Sequence, residues 1–312
     1  MLDPSIGLLF IDFTTGGMLQ LSGRARIDWD SEAVAATPGA HRLINVDIEA
    51  VVELPRALPL RWETEAESVR GLRVVEKVRE SKDVVSFHFE ARDGGALPPF
   101  RAGQHLPVEL RDPDTGTPIR RTYSLSGPTS GGRYRISVKR ETRGLASRHL
   151  HDHVTVGDII NAGRPAGNFL IPNGNAPVAL ISAGVGITPM VGMLHELIRR
   201  DPGRGIQFLH GAIDGEHLPF AGEIRRLVET AQHTRVHTAL SRPGPEDRVD
   251  KPGRSVGRIT GDLVRRLGAG TGAHYMLCGP VGFMTDLETA LLELGVPETC
   301  IHTENFGPAA GR

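Results

Sequence analysis

The stretch "RRTYSLSG" at 120–127 gathers two arginines, a tyrosine and two serines. An arginine can clamp a phosphate. A tyrosine ring can cover a planar heterocycle, and a serine hydroxyl can hydrogen-bond a ring nitrogen. If the segment is extended, Arg121, Tyr123 and Leu125 face one way, and Thr122, Ser124 and Ser126 the other. The same pattern suits an ordinary strand with a surface arginine and a core tyrosine, and spacing alone favours that. Downstream, "RGLASRHL" (143–150) sets Gly144 and Ser147 at a predicted helix start, where backbone N–H groups can cradle an anion.

A second stretch, "LISAGVGITPM" (180–190), runs from an apolar strand into Gly184 and Gly186, then into Thr188 and Pro189 at a predicted helix start. No lysine follows, so it is not a P-loop, and Pro189 stands where G-x-G-x-x-G needs its third glycine. Glycines still let a backbone turn sharply and approach a bound group. A helix N-terminus supplies unpaired N–H groups, and proline is suited to the first helical turn. Val191, Leu194 and Ile198 then recur at helical spacing. A tight strand-to-helix turn with no ligand fits this stretch equally well.

Three compositional zones must position these residues. Residues 1 to about 60 read as strands, "IGLLFIDF", "MLQLSGRARIDW" and "INVDIEAVVEL", with "TTGG" (14–17) as a hairpin turn. Residues 70–172 carry further short strands, among them "LRVVEKVRE", "VVSFHFEAR", "HLPVELR", "YRISVKR" and "DIINAG". Turn signals such as "RDGG", "DPDTG" and "TSGG" separate them, which predicts an antiparallel barrel. From 174 onward "PVALISAG", "GIQFLHGA", "RVHTALS" and "HYMLCGP" alternate with helical patterns at 188–200, 219–231, 260–267 and 281–294. That alternation predicts a parallel sheet with crossover helices. In the last helix Met284, Leu287, Leu291 and Leu294 share a face, and Gly295 ends it. The fold expected is therefore multi-domain, β plus α/β. The expected divisions are a short N-terminal β segment (1–65), a six-stranded antiparallel barrel (66–172) and a parallel-sheet α/β domain (173–312).

Composition narrows the classes. The chain has 312 residues, 36 Lys+Arg against 37 Asp+Glu, and two cysteines, Cys278 and Cys300. The balanced charge gives no argument for nucleic acid or a membrane surface. Two cysteines exclude a disulfide framework, and they exclude a four-cysteine zinc or iron–sulfur site made by these residues. No apolar run reaches the length of a membrane span, and "MLDPSIGLLF" lacks a basic n-region and a cleavage site. The expected compartment is the cytoplasm.

The motifs fall in one order: R-x-Y-S (Arg121, Tyr123, Ser124), G-x-x-S (Gly144, Ser147), "RPAGNF" (164–169), "GVGITP" (184–189), "LCGP" (277–280) and "ENFGP" (304–308). In that order and spacing the chain, from about 70 to 308, resembles the ferredoxin–NADP reductase-like flavoprotein family. The resemblance implies an FAD-binding barrel followed by a nucleotide-binding α/β domain. It implies that Arg121 binds a flavin phosphate, that Tyr123 packs on the isoalloxazine and that Ser124 sits near flavin N5. Gly144 and Ser147 would hold the FAD pyrophosphate. Gly184, Gly186, Thr188 and Pro189 would receive the nicotinamide dinucleotide, and Cys278, Gly279 and Pro280 would flank the nicotinamide. Glu304 and Phe306 would close over the flavin. Ser124, Cys278 and Glu304 are thus the expected catalytic residues.

The first sixty residues are similar to the later strands of the pyridoxamine 5′-phosphate oxidase-like split barrel. The front half that usually makes an FMN site there is missing, so no ligand is expected in this region. The expected activity is an NAD(P)H oxidoreductase that passes hydride to FAD and then electrons to an acceptor. Many relatives of this kind pass electrons to a [2Fe-2S] domain, which would need four cysteines beyond residue 308. The chain ends at Arg312, so the expected acceptor is a separate protein, a small oxidant or dioxygen. The rival reading is a truncated, non-catalytic flavin- or nucleotide-binding fragment.

Between NADH and NADPH the residues conflict. The second strand of the α/β domain ends in Ile213 and Asp214, and a carboxylate there would repel a 2′-phosphate or accept from a free ribose hydroxyl. Ser241 and Arg242 end the third strand, and a Ser-Arg pair near there binds the phosphate in plant-type reductases. Electrostatics tips the expectation toward NADH. No metal is expected. His149, His151 and His153 read as helix-end histidines. "HELIRR" has Arg199 where a zincin needs its second His. Trp29 and Trp62 read as core or interface residues.

Overall fold

The computed structural model describes residues 4–12, 15–29, 32–33, 42–58, 69–112 and 115–306. They fall into two compact units that divide between Ser68 and Val69.

The first unit is one antiparallel sheet in the order β1-β2-β3: β1 (Ser5–Asp12), β2 (Gly17–Asp28) and β3 (Leu43–Leu54). The predicted hairpin turn is present. Asp12 pairs with Gly17, and Gly16 takes a φ of 73° that a side chain would strain. A bulge between Ser22 and Gly23 shifts the pairing of β2 with β3. Trp29 is 53% exposed, with the Arg42 guanidinium 4.6 Å from its ring centroid. It is not the core residue the sequence allowed. Trp62 lies outside the described residues.

The second unit begins with six antiparallel strands in the order β7-β6-β9-β4-β5-β8. These are β4 (Arg70–Arg79), β5 (Val84–Ala91), β6 (His105–Arg111), β7 (Pro118–Ser124), β8 (Tyr134–Lys139) and β9 (Ile159–Ala162). Every second residue points inward, so Leu72 and Val74, Phe87 and Phe89, and Leu106 and Val108 meet in one core. Helix α1 (Leu145–Asp152) adds Ala146 and Leu150 to it. An isolated bridge from Leu125 to Ile136 ties the end of β7 toward β8.

That bridge corrects the expected alternation over 120–126. Facing holds only to Ser124, where pairing with β6 stops. Beyond it Leu125 and Ser126 are both wholly buried, because the chain turns inward to meet β8.

The parallel sheet follows in the order β13-β12-β11-β10-β14-β15. Its strands are β10 (Val178–Ala183), β11 (Ile206–Ala212), β12 (Thr234–Leu240), β13 (Arg254–Val256), β14 (His274–Cys278) and β15 (Ile301–Glu304). Helices α2 (Ile187–Arg200), α3 (Ala221–Glu229), α4 (Gly261–Leu267) and α5 (Val281–Glu293) cover it. Leu180, Met190, Leu194 and Phe208 form the core on one face, and Ile181, Leu209, Leu277 and Leu287 the core on the other. Burial on both faces is why these strands read as unbroken apolar runs. Strands β10 to β13 progress outward, and β14 then returns to the opposite side of β10. The direction of winding therefore switches between β10 and β14, where open parallel sheets bind ligands at their carboxyl ends.

Candidate functional site

Arg121, Tyr123 and Ser124 lie on β7, paired across to Val108, Leu106 and His105 of β6. Arg121 is exposed, and among the described residues its guanidinium donates only to the neighbouring Arg120 carbonyl, at 2.7 Å. No carboxylate faces it among the described residues. The Tyr123 ring packs half-buried on the barrel core, and burial pushes its phenol up to about 12. Ser124 is 5% exposed. Neither the Tyr123 hydroxyl nor the Ser124 hydroxyl has a hydrogen-bond partner among the described residues. Ser126, two positions on, is fully engaged with Ser137 and Arg135.

Helix α1 starts as predicted, with extended Gly144 at its N-cap and no side-chain cap. A Cβ at Gly144 would stand 2.5 Å from the Ser147 hydroxyl oxygen and 2.9 Å from Glu141 Cβ. Ser147 accepts from the Glu141 N–H at 3.1 Å and donates to the Gly144 carbonyl at 3.0 Å. Its hydroxyl shapes the turn, which leaves the first-turn backbone N–H groups as the anion donors.

The two glycines of the β10–α2 turn do different work. Gly184 is exposed at a φ of +57°, with open space where a Cβ would point. A Cβ at Gly186 would overlap the Cys278 carbonyl. Gly186 therefore lets the turn close against the end of β14, a packing role beside the dinucleotide contact that the family resemblance implies for both glycines. Thr188 and Pro189 are buried in the first turn of α2, and Thr188 Oγ1 donates to the Val185 carbonyl at 3.0 Å.

Register brings the remaining strand ends together. Ser182 pairs with Cys278, and Cys278 with Glu304. Cys278 is wholly buried, and burial, then Glu304, pushes its thiol up. Burial also raises the Glu304 carboxyl. With the thiol enclosed, Gly279 and Pro280 make the accessible wall at this strand end. A Cβ at Gly279 would press to 2.8 Å of the Phe283 ring. Phe306 is 43% exposed.

At the far side of the same edge, the Ser241 and Arg242 N–H groups donate to Ala212 and Ile213 carbonyls at 3.0 and 2.8 Å. Ser241, Arg242 and Asp214 thus follow adjacent strand ends. Asp214 Oδ1 accepts from the His217 backbone N–H at 3.0 Å and lies 2.7 Å from its Nδ1. That hydrogen bond holds the Asp214 carboxyl below its ordinary value. Arg242 is exposed and its side chain has no partner among the described residues.

Gly192 was not singled out from the sequence. A Cβ there would stand 2.8 Å from the Leu125 carbonyl, so α2 rests directly on the chain that follows Ser124. A glycine inside a helical pattern was the available signal. The histidines of α1 do not converge. The His149 and His153 rings lie 5.5 Å apart, and His151 Nε2 is 2.8 Å from the Val138 carbonyl. Among the described residues no cluster of three His, Cys, Asp or Glu could hold a metal ion, and no helix is long and apolar enough to cross a membrane.

The donor set fits an FAD and a nicotinamide dinucleotide: an unpaired guanidinium, a half-buried aromatic ring, an unengaged hydroxyl and two open helix starts. Comparison with known proteins agrees. The oxidoreductase FAD-binding domain family matches residues 71–171, and the oxidoreductase NAD-binding domain family matches 180–289. Neither reaches the N-terminal sheet, so its likeness to a split barrel has no support. A flavohemoprotein of Deinococcus radiodurans is 39% identical over 240 residues, 77% of this chain and 60% of that one. The chain thus spans about 60% of the length of that relative. The flavohem-like FAD/NAD binding domain of nitric oxide dioxygenase from Vibrio cholerae is 35% identical with a TM-score of 0.70, over 77% of this chain and 99% of that one. Phthalate dioxygenase reductase is 25% identical with a TM-score of 0.61, over 78% of this chain and 69% of that one. With its two domain matches, its two sheets and its near-complete coverage of the Vibrio domain, the chain belongs to the ferredoxin–NADP reductase-like family of FAD- and NAD-binding oxidoreductases.

Proposed function

We propose that this chain takes hydride from NADH onto FAD and passes electrons singly to a haem or [2Fe-2S] centre. Hydride transfer from nicotinamide to flavin N5 is chemistry that the bound cofactors supply. The observation that carries the reading is the unengaged polarity of Arg121, Tyr123 and Ser124 on one strand whose neighbour Ser126 is fully satisfied. Arg121 would hold a flavin phosphate, the Tyr123 ring would pack on the isoalloxazine, and the Ser124 hydroxyl would serve as the hydrogen-bonding group beside the flavin ring. The α1 start, at Gly144 and Ser147, holds the pyrophosphate through backbone N–H groups.

At the sheet edge, Gly184, Gly186, Thr188 and Pro189 shape the turn that receives the dinucleotide. The Cys278–Gly279–Pro280 segment flanks the nicotinamide. Glu304 and Phe306 would close over the flavin, with burial raising the Glu304 carboxyl above its ordinary value. We divide the module at 66–172 for FAD and 173–312 for the nucleotide, with 1–65 as a separate β segment. Support for the acceptor class comes from the flavohemoprotein relatives and from the phthalate dioxygenase reductase, a modular structure for electron transfer from pyridine nucleotides to [2Fe-2S].

The choice of NADH rests on Asp214. Its lowered pKa keeps a negative charge beside the position a 2′-phosphate would take. The opposing residue is Arg242, which is exposed and free to pair with that phosphate. Steady-state kcat/KM with each nucleotide tests this. A higher value for NADH is expected. A tenfold preference for NADPH that Arg242→Ala abolishes would reverse the assignment.

A further inference from the structure

Arg135 lies on β8 of the barrel and is 7% exposed, yet its carboxylate partner belongs to the parallel-sheet half. That partner is Glu223 of α3, 88 residues away. The pair is bidentate: Nη1 donates to Oε2 at 2.8 Å and Nη2 to Oε1 at 2.9 Å. Nη2 also donates to the Ser126 carbonyl at 2.5 Å, and Nε donates to the Ser126 hydroxyl at 3.3 Å. On the other side of the carboxylate, His195 Nε2 of α2 lies 2.5 Å from Oε1.

The circuit closes through α2. One turn before His195, Gly192 brings the helix against the Leu125 carbonyl, and one residue after it, Glu196 accepts from the Thr129 hydroxyl at 2.5 Å. A second observation points the same way. Phe220, at the start of α3, holds a left-handed φ of 59°, its ring 2% exposed and 5.1 Å from the Arg135 guanidinium carbon. A bulky residue in that conformation persists only where its surroundings fix it.

Enclosing Arg135 and half-burying its two partners is a poor way to gain stability, since apolar groups of similar volume often do as well. A guanidinium fork on a carboxylate instead fixes distance and angle together. We propose that Arg135, Glu223 and His195 are positioning residues for hydride transfer. They lock the segment after Ser124 to α2, whose first turn carries Thr188. This rests on the reading of Ser124 and Thr188 as the flavin and nicotinamide sides. Misplacing reacting groups by about 1 Å can cost on the order of a hundredfold in rate.

Stopped-flow reduction of the FAD-loaded protein by saturating NADH under argon tests it. The variants are Glu223→Gln, Arg135→Lys and His195→Gln, with Arg133→Gln of the exposed Arg133–Glu90 pair as control. FAD content, KM for NADH and long-wavelength charge-transfer absorbance are read alongside the rate. Expected are unchanged FAD content, KM within about threefold, a limiting rate about tenfold lower for Glu223→Gln and Arg135→Lys, and a weakened charge-transfer band. The control keeps the wild-type rate. If Glu223→Gln does not fold, His195→Gln, which leaves the Arg135–Glu223 pair in place, carries the test. Variants that melt earlier but reduce flavin at the wild-type rate would overturn the positioning role alone. A wild type that NADH and NADPH both fail to bleach would overturn the functional reading and this role with it.

Discussion

Arg121 carries its charge at the exposed edge of β7 with a neighbouring carbonyl as its one acceptor among the described residues. A phosphate there would supply the acceptor that no carboxylate among the described residues does. Removing the guanidinium in Arg121→Ala deletes a charge-assisted contact worth about 1.5–3 kcal/mol. FAD should then bind roughly ten- to a hundredfold more weakly. Fluorescence of flavin released on dilution measures this, and full occupancy in the variant would place the phosphate elsewhere. Glu223 makes a second prediction. Burial alone would raise its carboxyl, but His195 and Arg135 hold it down to about 2, with Glu80 the nearby opposing charge. A depressed carboxyl contributes stability that is complete above its ordinary 4.5 and is lost as pH falls toward 2. The wild-type melting temperature should therefore drop across that window more steeply than that of Glu223→Gln. Parallel curves would mean that the contact does not survive in solution.

At the scale of elements, the β10–α2 turn separates two roles that the glycine pattern merged. Gly186→Ala must push a methyl into the Cys278 carbonyl, a backbone atom that cannot swing away. A cost of about 1–3 kcal/mol is expected, read as a lower denaturant midpoint with an unchanged slope. A midpoint equal to wild type would show that the turn has slack. The strands and helices of the module were legible because their patterns are local: a period of two in the barrel, unbroken apolar runs in the parallel sheet and a period of 3.6 in the helices. β13 and β15 were not, being three and four residues long. They hold their places by pairing with β12 and β14 rather than by any pattern of their own. The motif residues were legible as types. The Arg135–Glu223 contact was not, because its partners lie 88 residues apart and neither stands in a motif. The carboxylate of Asp214 was legible by type at the end of its strand, but its bond to His217 depends on the turn at Gly215–His217, which has no pattern of its own. The Leu125–Ser126 facing failed because a strand's alternation ends where its partner changes.

For the whole molecule, the division between Ser68 and Val69 separates the N-terminal sheet from the unit that holds every proposed cofactor residue. That sheet leaves Phe10, Ile27, Ile44, Ile48 and Val51 about half exposed or more, and a small sheet gains little stability from such a face. A protein lacking residues 1–68 should keep FAD and reduce it at the wild-type rate. A folded deletion that retains flavin but accepts no hydride would tie the sheet to the chemistry. The central claim is that residues 69–312 form an FAD reductase fed by a nicotinamide dinucleotide. Its most direct test is the visible absorbance of the protein, purified with the flavin it acquires in the cell, before and after NADH is added under argon. The account predicts flavin bands that bleach at once and return when air is admitted, with FAD the nucleotide released on heating. Flavin bands unchanged by NADH and by NADPH, or FMN as the only flavin released, would contradict it.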